Sequence, residues 1–395
     1  MKPSKKPRST PLVLKTRKFR LKHFINYIVI GVLLMIFTVM SFTSGMRSST
    51  QYLLEKIGIA MILAVSLSMV VGFLGELSLG HAGFMCIGAY IGGKISVLLS
   101  GSLGNSLPTL LIAVVAGGIV AAICGVVVGL PALRLRGDYL AIVTLAFGEI
   151  VKSLFMNSSA ESFGGALGME TPRYDRNSLF IICFLLVLFT LMVVQNVIRS
   201  RHGRAITAIR DSEIAARATG INVTRYKLIV FAMSAFFAGI AGVLYSFSNQ
   251  TVQSSKFGFN YSIEILVMVV LGGMGSINGS LIAASLITFL NVKLATVLTG
   301  NMAVLQNLIY ALVLIVLVIF GNAPFLAGVR EKYSFQALLN RIVYGGTDAA
   351  FRHDDEALWS RIPTKIDMDE LLSMDARPEE NRAVRLDGDK PKKRG

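Results

Sequence analysis

Nine apolar runs of membrane-spanning length dominate this sequence, and short polar stretches separate them. About 20 apolar residues cross a bilayer as one helix. A chain with so many such runs cannot keep its surface in water, which excludes a soluble globular domain. We predict an all-α, polytopic integral membrane helical bundle of about 8–10 transmembrane segments, some of them broken at glycines. The runs are Phe24–Phe42, Tyr52–Leu74, Leu79–Leu99, Pro108–Leu130, Tyr139–Met156, Leu179–Ile198, Leu228–Phe247, Tyr261–Val292 and Met302–Phe320.

Charged residues lie mainly at the two ends of the chain. Residues 1–22 hold nine Lys and Arg and no acid, residues 331–395 hold thirteen acids and twelve bases, and only 28 charged residues lie between. The sequence therefore predicts a basic cytosolic N-terminal arm at 1–23, a transmembrane domain at 24–328 and a charged tail at 329–395. We expect the tail to be cytosolic and partly disordered, with docking of a partly helical tail as the open alternative.

The formal net charge of +16 does not indicate a nucleic-acid partner. The bases cluster at the ends of apolar runs, and no nucleic-acid-binding motif accompanies them. Residues 199–227 carry seven Lys and Arg against two acids, whereas residues 157–177 carry two against three. By the positive-inside rule the first segment is cytosolic and the second lies outside.

The run Tyr261–Val292 is too long for one ordinary span. Glycines interrupt it at Gly272–Ser276, which favours a broken helix that acts as a re-entrant or double segment. Such a segment makes no net crossing and would return the tail to the cytosol. The alternative is a single long, tilted helix with close-packed glycines.

Catalytic chemistry is not visible in the sequence. Gly88–Ile95 fits the phosphate-binding pattern G-x-x-x-x-G-K-[ST] except at its last position, and it lies inside an apolar run with no strand before it. We interpret Gly88 and Gly92 as a helix-packing contact instead. No nucleophile, disulfide or metal set is apparent, so we predict a protein that is not an enzyme and has no metal or cofactor. The cysteines are Cys86, Cys124 and Cys183.

Six ionisable residues fall at membrane depth, where charge is costly and usually faces a bundle interior or an aqueous path. Glu149 and Lys152 are spaced to neutralise each other on one helical face. Glu76 lies in the glycine-rich stretch 72–83, where a helix break could expose backbone groups to a polar solute; tight helix packing is the alternative. The six residues are Glu76, His81, Lys94, Glu149, Lys152 and Glu264.

The cytosolic segment Gly203–Lys227 carries a second pattern. Asp211–Thr219 favours a short helix, and Gly220 stands where such a helix would end. Small residues on one side would let this helix seat in a groove of a soluble partner. An ordinary charged loop is the alternative.

This loop is similar to the EAA loop of ABC importer permeases, and the chain resembles the LivM-type permeases of high-affinity branched-chain amino acid importers. Two positions depart from the pattern: Ile214 stands where the EAA acid is expected, with Glu213 one place earlier, and Glu76 replaces a common glutamine. The resemblance rests on Gly75–Phe84 (GELSLGHAGF), Gly88–Tyr90 (GAY), Leu135–Gly148 (LRGDYLAIVTLAFG), Arg204–Lys227 and Leu271–Gly279 (LGGMGSING).

The resemblance implies a permease subunit in the bacterial plasma (cytoplasmic) membrane that translocates leucine, isoleucine and valine. It implies a LivH-type permease subunit, two cytosolic ABC ATPases, an extracytoplasmic solute-binding protein, an amino-acid substrate and membrane lipid as partners. By the same resemblance, residues 203–227 are expected to form a cytosolic EAA-type coupling loop. ATPase coupling is expected at Arg204, Asp211, Glu213, Ala215, Ala216, Arg217 and Gly220. Broken helices offer backbone dipoles to a zwitterion, and the predicted path residues are Gly72, Gly75, Glu76, Ser78, Gly272, Gly273 and Ser276.

Three alternatives remain open at this point. One is a urea or short-amide ABC permease of the same class. Another is an ion-coupled secondary transporter that would carry protons on Glu76, His81 and Glu149. The last is a membrane scaffold that acts through its tail. Sequence cannot name the preferred solute, the number of spans or the purpose of residues 333–395.

Overall fold

The computed structural model describes residues 47–104, 106–133, 135, 137–172 and 174–297, with isolated positions at 30–31, 35, 38, 308, 311–312 and 315. The predicted N-terminal arm and C-terminal tail lie outside the described residues. So do most of the first and last apolar runs. The predicted domain boundaries at 24 and 328 therefore stay predictions.

The described part is helical almost throughout, and seven of its helices are long and apolar enough to cross a membrane. These seven are α1, α2, α3, α4, α6, α9 and α11, so the predicted all-α polytopic bundle is confirmed. The helices are α1 (Ser48–Ser68, continued by a π-helical turn at Met69–Leu74), α2 (His81–Leu103), α3 (Leu107–Ala132), α4 (Asp138–Met156), α5 (Ala160–Phe163), α6 (Arg176–Arg199), α7 (Arg201–Asp211), α8 (Glu213–Ala218), α9 (Val223–Ser248), α10 (Phe259–Leu271) and α11 (Ile277–Val297).

Helix α1 lies at the centre of the bundle and packs against α6, α9 and α11. Its side chains from Ile59 to Val71 are almost fully buried. By contrast, α3 exposes Leu, Ile and Val side chains along one side from Leu111 to Val127. A contiguous apolar face of this kind is unfavourable in water but matches hydrocarbon. The bundle therefore has a buried central helix and a lipid-facing rim.

Glycines set how closely α2, α3 and α9 approach one another. A Cβ added at Gly88 would lie 2.1 Å from the carbonyl oxygen of Gly239, and one at Gly92 would lie 2.6 Å from Val243 Cγ2. The predicted helix contact at Gly88 and Gly92 is confirmed. Because lipid gives no hydrophobic drive between helices, close van der Waals packing of this kind holds the bundle together.

The long apolar run Tyr261–Val292 is divided into α10 and α11, so the alternative of one tilted helix is wrong. Helix α10 has only 13 residues, about 20 Å at 1.5 Å per residue, which is shorter than a bilayer core. The turn between the two helices contains Gly273 and Gly275, whose φ angles are 89° and 83°. Such left-handed φ values suit glycine and explain why the helix ends there.

A small two-stranded ladder joins two loops at the bundle end opposite the α10–α11 turn. Strand β1 (Met169–Glu170) pairs antiparallel with β2 (Thr251–Val252), with Met169 opposite Val252. Short 3₁₀ turns at Gly165–Leu167 and Ser254–Phe257 accompany it. The first loop lies between α4 and α6 and the second between α9 and α10, so they connect helix ends on one side of the bundle.

Candidate functional site

The segment between α6 and α9 forms two consecutive helices at one end of the bundle. The sequence predicted one short helix at Asp211–Thr219, and this extent is wrong: α7 runs through Asp211, and α8 covers only Glu213–Ala218. Ser212 separates them because its backbone is extended (φ −160°, ψ 108°) and its Oγ accepts a hydrogen bond from Ala215 N at 3.3 Å. Serine in this N-cap position ends one helix and starts the next.

Helix α8 buries one side and exposes the other. Ala216 is 3% exposed and belongs to the core, whereas Ile214 is 78% exposed. Ala215 and Arg217 are also exposed. Ala216, a predicted coupling residue, therefore packs α8 against the bundle, and Ile214 forms the outer apolar surface of the helix. The coupling role of Ala216 stays a prediction.

Gly220 closes α8 as predicted. Its φ of 86° lies in the left-handed region, and Ile221 N donates to Ala216 O at 3.0 Å, a bond that caps the helix C-terminus. No atom lies within 4 Å of a Cβ added at Gly220, so the constraint there is backbone conformation alone. Gly220 is exposed, as are the predicted coupling residues Arg204 and Asp211.

A buried lysine ties α8 to the break after α1. Lys227 Nζ lies 2.5 Å from Glu76 Oε1 and 3.2 Å from Glu213 Oε2, and its side chain is 4% exposed. Arg217 Nη2 lies 2.6 Å from the other oxygen of Glu213. Two acids and two bases thus form a network with no net charge, which a partly desolvated site requires. We name Glu76, Glu213, Arg217 and Lys227 the coupling cluster.

Arg210 makes a second link between this loop and the break. Its guanidinium bonds Asp211 Oδ1 at 3.0 and 3.1 Å and donates from Nη1 to Gly72 O at 3.2 Å. Its aliphatic stem covers Gly75, where an added Cβ would lie 2.7 Å from Arg210 Cγ. Gly75 also has a φ of 80°. Only glycine satisfies both constraints, so the loop packs directly on the end of α1.

The two glycine breaks meet each other beside Arg210. A Cβ at Gly72 would lie 2.5 Å from Gly275 N, and a Cβ at Gly272 would lie 2.4 Å from Gly279 C. The predicted path residues of both segments therefore come together at the coupling-loop end of the bundle. Ser78, another of the predicted path residues, is buried, with 2% of its surface exposed. Their role in lining a path stays a prediction.

A buried polar layer surrounds the N-terminus of α2. His81 Nε2 lies 2.8 Å from Ser66 Oγ, and Ser234 Oγ donates to Ser66 O at 2.7 Å. Thr144 Oγ1 accepts from Leu79 N at 3.0 Å, and Ser262 Oγ accepts from Ala82 N at 3.3 Å. Side chains of α4 and α10 thus bond backbone N–H groups freed by the break after α1, which is the condition for non-helical backbone at membrane depth. The bonds of Ser66 to His81 and Ser234 tie α1, α2 and α9 together at the same level. His81 was a candidate from the sequence, but its hydrogen-bond partners were not predicted.

The remaining intramembrane charges are engaged in structural contacts. Glu149 pairs with Lys152 at 2.5 Å, as predicted, and its Oε1 accepts from Phe259 N at 2.8 Å, which caps the half-length helix α10. Lys94 Nζ donates to Ser162 O at 2.7 Å at the end of α5. Glu264 Oε1 accepts from Asn291 Nδ2 at 2.9 Å.

Two charged residues near the other end of α1 were missed. Glu55 is fully buried and accepts a hydrogen bond from Ser248 Oγ, and Lys56 Nζ lies 3.9 Å from the centroid of the Tyr245 ring. A cation over an aromatic face is favourable when it is desolvated. The sequence did contain a signal for this pair, because Glu55 and Lys56 are adjacent ionisable residues inside the apolar run Tyr52–Leu74.

The comparison with protein families decides what kind of chain this is. The family described as a branched-chain amino acid transport system, permease component, matches residues 49–319. This chain belongs to that family. The permease is therefore a multi-pass membrane protein, as predicted, and its family description is that of a transport component.

Curated relatives of the permease agree with this assignment. It is 38% identical over 261 residues to the high-affinity branched-chain amino acid transport system permease protein LivM of Salmonella typhimurium and, equally, to that of Escherichia coli K12. Each match covers 58% of this chain and 60% of the relative, so the chain spans about 60% of their length. The ribose import permease protein RbsC of Escherichia coli K12 is 26% identical over 291 residues, covering 68% of this chain and 84% of the relative. No solved structure matches the permease.

Proposed function

We propose that this permease is one membrane subunit of an ABC importer in the bacterial plasma membrane and that it translocates leucine, isoleucine and valine. The observation that carries the proposal is the exposed helix α8, whose base is ion-paired to the glycine break of α1. Family membership and the names of the LivM relatives give the solute class. The driving force comes from two cytosolic ATPases, and a LivH-type subunit and a solute-binding protein complete the assembly.

Mechanical coupling in this proposal starts at α8. Closure of the ATPases on nucleotide presses on its exposed side at Ile214 and Ala215. The base of α8 moves with Lys227, because Glu213 and Glu76 both bind that lysine. Glu76 belongs to the break after α1, so displacement of α8 reaches that break.

Displacement then spreads to the second break through backbone contacts. Arg210 holds the carbonyl of Gly72, and Gly72 touches Gly275 in the α10–α11 turn. Tightly packed backbone transmits a shift with little loss, because no flexible side chain lies between the two glycines. Both broken segments would therefore tilt together, which opens the bundle alternately toward each side.

A secondary transporter with proton-carrying carboxylates is less well supported. Glu76 is held by Lys227, and Glu149 is held by Lys152 and by the N-terminus of α10. Both carboxylates are therefore engaged in contacts that hold helices of the bundle together.

The test is reconstitution of the permease with its membrane partner, ATPases and solute-binding protein in proteoliposomes. We expect ATP-dependent uptake of labelled leucine, with competition by isoleucine and valine but not by urea or ribose. Uptake that persists without the ATPases would contradict the proposal. Competition by urea or ribose at the level of valine would contradict the solute class.

The coupling surface is tested separately with one substitution and a matched control. Ile214→Asp places a charge in the docking contact, and we expect ATPase copurification to fall at least about tenfold, or about 1.4 kcal/mol. Thr224→Asp adds the same charge at an exposed site of the same loop, outside α8, and should leave copurification unchanged. Equal copurification of both variants would show that α8 is not the docking element.

A further inference from the structure

We infer that Lys56 binds the carboxylate of a free aliphatic amino acid at the end of the bundle opposite the coupling cluster. Its ammonium lies between two aromatic rings, those of Tyr52 on α1 and Tyr245 on α9. We name Tyr52, Lys56 and Tyr245 the lysine site. The inference rests on the proposed function and adds the place where the permease first receives its solute.

The Lys56 ammonium lacks the partner that a charge inside a membrane-spanning helix requires. Its Nζ lies 3.9 Å from the centroid of the Tyr245 ring and 5.2 Å from that of the Tyr52 ring. Within the part of the chain that the structure describes, it forms no ion pair and donates no hydrogen bond. Ring faces attract a cation, but an ammonium has three N–H donors that still call for an acceptor. An intramembrane charge of this kind marks a functional site whose partner has to be named.

A ligand can reach this nitrogen. Lys56 and Tyr52 are half-buried, and Nζ keeps accessible surface. Tyr52 Oη donates to Asn249 Oδ1 at 3.4 Å, which ties this end of α1 to the loop after α9. The same loop carries strand β2 of the small ladder, and the positive-inside rule places that side of the bundle outside. The lysine site therefore lies at the end where an importer receives its solute.

Charged neighbours of Lys56 favour a zwitterion over a simple anion. Lys256 repels the ammonium through space, and the carboxylates of Glu55 and Glu264 attract it. A bare anion at Lys56 would be repelled by the two carboxylates, and a bare amine would be repelled by the two lysines. An amino acid avoids both costs, because it can turn its carboxylate toward Lys56 and its ammonium toward the acids.

Aromatic rings supply the apolar part of the site. The Tyr245 ring packs edge-on against Phe257, with the ring centroids 5.2 Å apart, and both side chains are buried. Tyr52 is half-buried, so its ring is the apolar surface that the aliphatic part of a solute can cover. Such contact removes apolar surface from water. A cation, distant acids and an aromatic wall together match leucine, isoleucine or valine.

The experiment measures binding to the purified full-length permease in nanodiscs by saturation-transfer NMR, without nucleotide. The probes are leucine, 4-methylpentanoate, which lacks the amine, and isoamylamine, which lacks the carboxylate. We expect wild type to bind leucine more tightly than either analogue. Lys56→Met should weaken leucine and 4-methylpentanoate about 10- to 100-fold and should not weaken isoamylamine. Lys56→Arg keeps the charge and should retain most of the leucine affinity.

Lys293→Met is the matched control. Lys293 also lies over an aromatic ring in a spanning helix, with its Nζ 5.9 Å from the Phe289 centroid, but it is exposed on α11. This variant should leave the affinity for all three probes unchanged. Thermal unfolding separates binding from structure: Lys56→Met should unfold at the same or a higher temperature, because a charge that waits for a ligand does not stabilise the empty protein. A lower unfolding temperature with unchanged leucine affinity would make Lys56 a structural residue.

A measurement on wild type covers the case in which Lys56→Met does not fold. The rate at which a small amine-acylating reagent modifies Lys56 is followed by mass spectrometry. We expect 4-methylpentanoate to slow this modification and the uncharged 4-methylpentan-1-ol to leave it unchanged. The rate at Lys293 should not respond to either compound. Equal rates at Lys56 with and without 4-methylpentanoate would contradict the inference.

Other outcomes would also overturn it. Equal leucine affinity in wild type and Lys56→Met would do so, as would a wild type that binds none of the probes. Chloride or phosphate that displaces leucine as well as 4-methylpentanoate does would assign Lys56 to inorganic anions. The proposed function fails separately: leucine binding at Lys56 without ATP-driven uptake by the assembly rejects only the function, and uptake that is unchanged in Lys56→Met rejects only the inference.

Discussion

Removal of the Lys227 charge from the coupling cluster should lower the free energy of unfolding of the permease by a predictable amount. Lys227→Met keeps the length of the side chain but leaves Glu76 and Glu213 facing each other, at 14% and 21% exposure. Loss of one partner of a fully buried ion pair costs about 3–5 kcal/mol. Partial exposure and the remaining Arg217–Glu213 pair reduce this, so we expect about 2–4 kcal/mol.

A second substitution separates charge from packing. Glu76→Gln in the Lys227→Met background removes the uncompensated carboxylate, while Arg217 still neutralises Glu213. We expect the double variant to lie within about 1.5 kcal/mol of wild type, which gives an interaction energy of about 2–3 kcal/mol in a double-mutant cycle at the middle of these ranges. Glu76→Gln alone should cost less than about 1 kcal/mol, since its amide can still accept a hydrogen bond from Lys227.

The assay is denaturant unfolding of the purified permease in bicelles. Loss of helix is followed by far-UV circular dichroism. Arg225→Met is the control, because Arg225 is exposed on the same helix and should change stability by less than about 0.5 kcal/mol. Equal destabilisation by Lys227→Met and Arg225→Met would refute the reasoning. So would purely additive effects of Lys227→Met and Glu76→Gln.

Five further variants test the backbone arguments by thermal unfolding. Gly72→Ala should destabilise by about 1–3 kcal/mol, because its Cβ would meet Gly275 N at 2.5 Å. Gly148→Ala meets nothing closer than 3.8 Å and should be neutral or stabilising by up to about 1 kcal/mol. Gly220→Ala should cost about 1–2 kcal/mol from the left-handed φ alone, with Gly220→Asn closer to wild type. Ser212→Ala should cost about 1 kcal/mol through loss of the α8 cap. A Gly72→Ala protein as stable as Gly148→Ala would contradict the close approach of the two breaks.

The spans and the breaks were predictable from sequence because both depend on local composition. Apolar length fixes which segments can cross a bilayer, and glycines mark where the backbone can leave a helix, as at Gly75 and Gly273. These patterns favoured a break after α1 and a division of the run Tyr261–Val292, with tight helix packing and one long tilted helix as the alternatives. Neither prediction required knowing which helices pack against each other.

The pairing of charges was not predictable, because it depends on which helices become neighbours. Glu76 was assigned to a solute path, but its contact with Lys227 joins residues 151 positions apart in the chain. The burial of Ala216 and the exposure of Ile214 depend in the same way on which side of α8 the bundle covers. The extent of α8 was missed for a local reason, since Ser212 was not considered as an N-cap.

Helix α1 and its π-helical turn run without interruption for 27 residues, about 40 Å at 1.5 Å per residue. One end carries Glu55 and Lys56, and the other ends beside the coupling cluster. Because a rigid helix of this length moves as one body, the proposed push at the coupling cluster would displace its Glu55 end at the same time. In a transporter that works as proposed, this coupling would keep the two ends of the path from opening together, so the membrane's ion gradients would not leak through it.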